Sequence, residues 1–177
     1  MDDRSLAAVV MAAGLGTRMR SSLPKHLHAL LGRRMVDWVV AATRDAGVAP
    51  IVVVTAPSMV AELNGFEVAV QEQPLGTGDA VRSAREALAG RADDVLVLSG
   101  DTPLVTPTLL EELLATHRRS EAWATVLAFE LDDPGSYGRV VRHTDGTFEA
   151  IVEAGDATDD QLGLHEVNSS IYVFRAD

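Results

Sequence analysis

Apolar residues fall into two patterns that alternate along the chain. Short uninterrupted runs, Leu6–Met11 (LAAVVM), Ile51–Thr55 (IVVVT) and Val95–Leu98 (VLVL), read as buried parallel strands. A strand covered on both faces loses the polar alternation of a half-exposed one. Glu67–Val70 is a further strand of this set. Between these runs, apolar positions recur three and four residues apart. Met35–Ala46 carries Met35, Val36, Val39, Val40 and Ala42 before a Gly47 stop, and Thr77–Leu88 carries Ala80, Val81, Ala84, Ala87 and Leu88. Thr108–His117 sets Leu109, Leu110, Leu113 and Leu114 inward, and Ser58–Leu63 is a shorter helix. Strands alternating with such helices predict an α/β fold, a Rossmann-like and mostly parallel sheet with helices on both faces.

From Ala124 the pattern turns β-rich, at Ala124–Glu130, Arg139–Arg142, Phe148–Val152 and Val167–Phe174. Turns at Asp133-Pro134-Gly135 and Asp145-Gly146 separate these segments. No repeat or linker interrupts the 177 residues, so one domain is expected, with a first part of about 1–122 and a β-rich part of about 123–177. The chain stops directly after an apolar strand, which raises the expectation of a missing C-terminal part.

Composition removes several classes. No apolar run approaches the ~18–20 residues of a membrane helix, and the acidic start MDDRSLAAVV is not a signal peptide. The absence of cysteine rules out disulfides and thiolate metal sites. A cytoplasmic location, with neither membrane nor nucleic acid as partner, is the expectation. The net charge of −11 disfavours broad contact with a phosphate backbone. That charge is unevenly placed, because residues 1–34 hold six basic side chains against two acidic ones. Lys25, in this stretch, is the single lysine beside fourteen arginines.

Ligands of open α/β sheets bind beyond the carboxyl ends of the strands. The loop after the first strand, Ala12-Ala13-Gly14-Leu15-Gly16-Thr17-Arg18, lets backbone amides approach an anion, with Arg18 and Lys25 adding charge where phosphates would sit. It is neither a complete Rossmann fingerprint, since Met19 stands where the third glycine belongs, nor a P-loop. The loop after the fourth strand carries Asp101, a hard oxygen donor suited to Mg²⁺ or, equally, a plain turn aspartate before Thr-Pro. Gln71 could offer donor and acceptor to a base edge, with Gly76, Thr77 and Gly78 close by; the same residues would also serve simply as a helix entry.

Taken together, Ala-Ala-Gly-x-Gly-Thr-Arg-Met, Leu23-Pro24-Lys25, Gln71 with Leu75-Gly76-Thr77-Gly78, and Gly100-Asp101-x-Pro103-Leu104 resemble the sugar-1-phosphate nucleotidyltransferases. "LDDPGSYGRVVR", "IVEAGDATDDQ" and "HEVNSSIYVF" narrow this. They are similar to the uridylyltransferase domain of the bacterial bifunctional N-acetylglucosamine-1-phosphate uridylyltransferase/glucosamine-1-phosphate acetyltransferases, from about Leu6 to Phe174.

The resemblance implies roles. Arg18 and Lys25 would hold the UTP phosphates, Asp101 would bind Mg²⁺, and Gln71, Gly76 and Thr77 would recognise uracil. Ala12, Ala13 and Gly14, with Gly16 and Thr17 of the same loop, would line the nucleotide pocket. Gly138, Glu153 and Asn168 would contact the N-acetylglucosamine, making the β-rich part the sugar-binding one; read singly they are a turn glycine, a strand-end carboxylate and a turn asparagine. UTP and N-acetylglucosamine 1-phosphate would yield UDP-N-acetylglucosamine for cell-wall synthesis. Departures fall at Leu15, where a basic residue is frequent, at Ser99, where an aromatic is, and at Ser169-Ser170, which replace Thr-Gly. The alternatives are a CTP- or GTP-using relative, or a nucleotide-binding module inactive in this form. The family's second metal ligand would lie past Asp177, as would the β-helix through which any homo-oligomer would form.

Overall fold

A computed structural model describes residues 4–14, 16 and 19–176 of the chain. In chain order the elements are β1 (Leu6–Ala12), a 3-10 turn (Lys25–Leu27), β2 (Ala29–Leu30), β3 (Arg33–Arg34), α1 (Met35–Asp45), β4 (Ile51–Thr55) and a 3-10 segment (Pro57–Leu63). There follow β5 (Glu67–Val70), α2 (Thr77–Ser83), α3 (Arg85–Leu88), β6 (Asp94–Ser99) and α4 (Pro107–Ser120). The remainder comprises β7 (Ala124–Glu130), β8 (Arg139–Arg142), β9 (Phe148–Val152), α5 (Asp159–Leu162) and β10 (Glu166–Arg175). The chain forms two compact units, one running to Thr125 and resuming at Tyr172, the other spanning Val126–Ile171.

In the first unit the strand order is β5-β4-β1-β6, all parallel, and Tyr172–Arg175 of β10 pairs antiparallel with β6. The four parallel strands are the runs whose apolar residues are continuous in sequence, and their burial explains why. Val9, Val52, Val54 and Val97 pack with Ala80, Ala84 and Leu88 of the α2–α3 segment. Residues that alternate to the opposite side, Ala8, Val10, Val53, Leu96 and Leu98, are equally buried, and α1 contacts both β1 and β4.

Three local features depart from the sequence reading. The helix expected over Thr77–Leu88 is broken at Ala84, where Ser83 Oγ donates to the Asp79 carbonyl (2.9 Å) and Ala84 N–H reaches back only three residues, to Val81 O (3.1 Å). Between the 3-10 turn and α1, β2 and β3 form a hairpin whose two turn residues, Leu31 and Gly32, both have positive φ, as a primed turn requires. Leu-Gly lacks the Asn-Gly signal of such turns, so the sequence reads as plain loop. In α4 the start lies at Pro107, behind a Thr106 cap whose side chain accepts from Leu109 N–H.

In the second unit β8 pairs antiparallel with β9 and with the first half of β10, and β7 also pairs with β10. The short α5 is held by a reciprocal capping box between Thr158 and Gln161, too brief to leave a helical period in the sequence.

Candidate active site

The register of the parallel strands aligns Ala12 with Thr55, Thr55 with Val70 and Met11 with Ser99, so their carboxyl ends share one edge. The loops leaving β1 and β6 meet there. Lys25 Nζ stands 2.7 Å from Asp101 Oδ2, and Ser99 Oγ donates to Asp101 Oδ1 at 2.5 Å. Thr102 Oγ1 closes the same turn by donating to Ser99 O at 2.7 Å.

Two glycines make this meeting possible. Gly100 N–H donates to Met11 O at 2.8 Å, and a Cβ at Gly100 would stand 3.1 Å from that oxygen. Gly16 has φ of +62°, and a Cβ there would lie 2.6 Å from the Cβ of Lys25. The first loop therefore folds back directly onto the lysine, and only a residue without a side chain permits it. A cavity of about 90 Å³ opens among Ala12, Gly14, Gly16, Lys25, His26 and Asp101.

Burial pushes the Asp101 carboxyl up, but the hydrogen bonds from Lys25 and Ser99 and the lysine's charge outweigh it and hold the group below the usual carboxylate range. His26 is buried, with Nε2 lacking a hydrogen-bond partner among the described residues. Burial lowers its pKa, Asp101 opposing and Arg34 adding to that shift, so the imidazole is neutral at pH 7. Sequence reasoning missed His26, and the only signal available was its place next to Lys25. It also missed Ser99 as a partner of Asp101; the i, i+2 spacing in Ser-Gly-Asp is the signal that was there.

The donor set suits Mg²⁺. Asp101 offers an ionised hard oxygen beside the loop that leaves β1, with Lys25 Nζ against its Oδ2. Among the described residues no group of three His, Cys, Asp or Glu could bind a metal by itself. A lone carboxylate is the donor set of a cation whose other ligands are water and phosphate.

Two strands away from β1, Gln71 follows β5, with its N–H donating to Thr55 O at 2.8 Å. It is buried, and its Nε2 donates to Gly76 O (3.1 Å) and Asp79 Oδ2 (2.9 Å). Gly76, with φ of +108°, leads into Thr77 at the start of α2. Across three strand spacings, β5 and β6 lie roughly 14 Å apart. Of the other expected residues, Ala12 ends β1 fully buried, Ala13 is half-buried and Gly14 exposed. Thr17 and Arg18, like Leu15, lie outside the described residues.

The second unit brings Gly138, Glu153 and Asn168 together. Arg139 pairs with Val152 on one side and Val167 on the other, so the next positions along each strand, Glu153, Gly138 and Asn168, form a row across β9, β8 and β10. Asn168 N–H donates to Gly138 O at 2.9 Å. A Cβ on Gly138 would stand 3.3 Å from Glu153 Oε1, so glycine leaves room for the carboxylate. Asn168 Oδ1 accepts the N–H of Ser170 at 2.9 Å, fixing its amide in a local turn.

Comparison with known proteins gives a consistent set of matches. The family model described as MobA-like NTP transferase domain matches residues 8–159. The bifunctional protein GlmU of Hyphomonas neptunium is 46% identical over 177 residues, a match covering 96% of this chain and 38% of that protein. GlmU of Pelobacter propionicus is 44% identical over 178 residues, covering 97% of this chain and 39% of that protein. The chain thus spans less than two fifths of the length of these relatives. A Bacillus anthracis crystal structure, of a protein assigned as a glucose-1-phosphate thymidylyltransferase in complex with a sucrose, superposes with a TM-score of 0.77. It covers 97% of this chain and 72% of that one at 17% identity, a likeness of fold.

Proposed function

The chain belongs to the MobA-like NTP transferase domain family, and from that premise we propose that it transfers the uridylyl group of UTP to N-acetylglucosamine 1-phosphate. The products are UDP-N-acetylglucosamine, a cell-wall precursor, and pyrophosphate. The observation that carries this reading is the 2.7 Å approach of Lys25 to Asp101, a cation and a metal-competent carboxylate at the ligand-binding edge of the sheet.

A nucleotide would lie along that edge. Its base would rest by Gln71 and its phosphates between the β1 loop and Asp101, a span from β5 to β6 of roughly 14 Å, on the scale of a nucleoside triphosphate's reach. Backbone amides near Gly14 and Gly16, with Lys25, would receive the triphosphate, joined by Arg18. The row Glu153, Gly138 and Asn168 would hold the sugar through hydrogen bonds to its hydroxyl and acetamido groups.

An oxygen of the sugar 1-phosphate attacks the α-phosphorus of UTP, the bond from that phosphorus to the bridging oxygen of the β-phosphate breaks, and pyrophosphate departs with the electron pair. The nucleophile is ionised at neutral pH, so no general base is required, and the neutral His26 has no proton to remove. Lys25 aligns the triphosphate and offsets charge that builds on the transferring group. Mg²⁺, when held by Asp101, supplies Lewis-acid stabilisation to the phosphate oxygens.

The test is pyrophosphate release measured with each of four NTPs against a panel of sugar 1-phosphates. UTP with N-acetylglucosamine 1-phosphate should be turned over best. Faster turnover with CTP or GTP would overturn the assignment, and UTP binding without pyrophosphate release would replace it with a nucleotide-holding module.

A further inference from the structure

The Gln71 amide is fixed one way round. Its nitrogen carries two hydrogens, and both are directed at groups that cannot donate, the Gly76 carbonyl at 3.1 Å and the Asp79 carboxylate at 2.9 Å. Turning the amide over would set its oxygen against two other oxygens, so the assignment of nitrogen and oxygen follows from the partners themselves. Asp79 is itself anchored. Its other oxygen, Oδ1, accepts from Arg82 Nη2 at 2.5 Å, and the carboxylate is only 17% exposed, whereas Arg82 is 72% exposed. The hydrogen bond from Gln71, then that from Arg82, holds the Asp79 carboxyl below its usual range, so it remains an acceptor through the neutral region.

With Nε2 committed to the start of α2, the side-chain polar atom left for a base is Oε1, which has no protein partner among the described residues. A lone acceptor discriminates at ring position 3 of a pyrimidine. Uracil carries an N–H there, whereas cytosine carries a bare nitrogen lone pair that an amide oxygen repels. A freely rotating glutamine would serve either base by turning round.

We propose that Asp79 is a positioning residue that, by holding the Gln71 amide nitrogen, presents its oxygen to the base and thereby selects UTP over CTP. This rests on Gln71 being the base contact, as in the function proposed above. Asp79 has no contact with the reacting atoms and acts only through Gln71.

The test is calorimetric affinity for UTP and for CTP, each with Mg²⁺, in the wild type and in Asp79→Leu, Asp79→Asn and Gln71→Leu. The wild type should favour UTP. Asp79→Leu should narrow the UTP/CTP ratio about tenfold, the factor expected from losing one orienting hydrogen bond. Asp79→Asn, which preserves size and keeps one acceptor for two donors, should narrow it less, and it carries the test if the leucine variant does not fold. Adding Asp79→Leu to Gln71→Leu should narrow the ratio no further, because the aspartate has nothing left to orient. If Gln71→Leu narrows the ratio but neither Asp79 variant does, Gln71 is the base contact and its orientation is set elsewhere, which overturns the inference alone. An equal loss for both nucleotides in the Asp79 variants does the same, since it marks a purely structural role. An unchanged ratio in Gln71→Leu overturns the base-contact reading and the inference with it.

Discussion

Gly16 and Lys25 are packed so closely that a single methyl group on the glycine would overlap the lysine's own Cβ, at 2.6 Å. The backbone turn of the first loop and the side chain that faces Asp101 therefore form one mechanical unit, with Gly16 at φ of +62°. Gly16→Ala has neither the backbone freedom nor the space, and Lys25 must shift. The expected result is a fall in turnover of about 10²-fold, the scale of a misplacement of ~1 Å, with a circular dichroism spectrum like that of the wild type.

Lys25→Ala and Asp101→Ala should each lower turnover by ~10²–10³-fold, the scale of one lost transition-state contact, in proteins that still melt cooperatively. Wild-type turnover in either folded variant would remove that residue from the chemistry.

The same ion pair predicts a titration. Lys25 and Ser99 hold the Asp101 carboxyl down against burial, so Lys25→Met should move its midpoint upward, read by carboxyl ¹³C NMR. In the wild type, a carboxyl lowered by folding contributes stability that is present above the unfolded value of ~3.9 and lost as pH falls through the folded one. That acid-side loss should be smaller in Lys25→Met.

Ser170 occupies φ of +62°, the left-handed region that favours glycine, at the position where the family resemblance expects glycine. Ser170→Gly should stabilise the fold by about 1 kcal/mol, raising Tm by roughly 2–4 °C by calorimetry. No change would mean that the Asn168–Ser170 turn offsets the strain.

His117 is fully buried on α4, with Nδ1 against Thr125 Oγ1 at 2.8 Å and Nε2 3.5 Å from Asp94 Oδ1. Burial lowers its pKa more than Asp94 raises it, and Arg4 and Arg175 add to the lowering. The unfolded imidazole, with a pKa near ~6.5, then binds protons that the folded one refuses. Stability should fall as pH drops from about 6.5 toward the folded value and level off below it. Denaturant titrations should find this slope reduced in His117→Gln, where the glutamine cannot take up a proton.

The sequence by itself was sufficient for the parallel core, because short runs rich in β-branched residues, such as IVVVT and VLVL, alternating with helical periods, suit strands buried on both faces. It was sufficient, too, for the family, since the glycine loop, Pro24-Lys25 and Gly100-Asp101 are local patterns that survive in the primary chain; the family match over residues 8–159 bears that resemblance out. Tertiary structure alone decided the distances. Lys25 and Asp101 are separated by most of the first unit's chain, and only the β1–β6 register places them at 2.7 Å. The row Glu153, Gly138 and Asn168 likewise exists only through antiparallel pairing of three strands. The Gln71 amide nitrogen is held by acceptors five and eight residues away, at Gly76 and on the helix at Asp79. Hydrophobic periodicity is a property of neighbouring residues and can be read along the chain, whereas a site is a set of contacts between distant ones and appears only when the strands are in register.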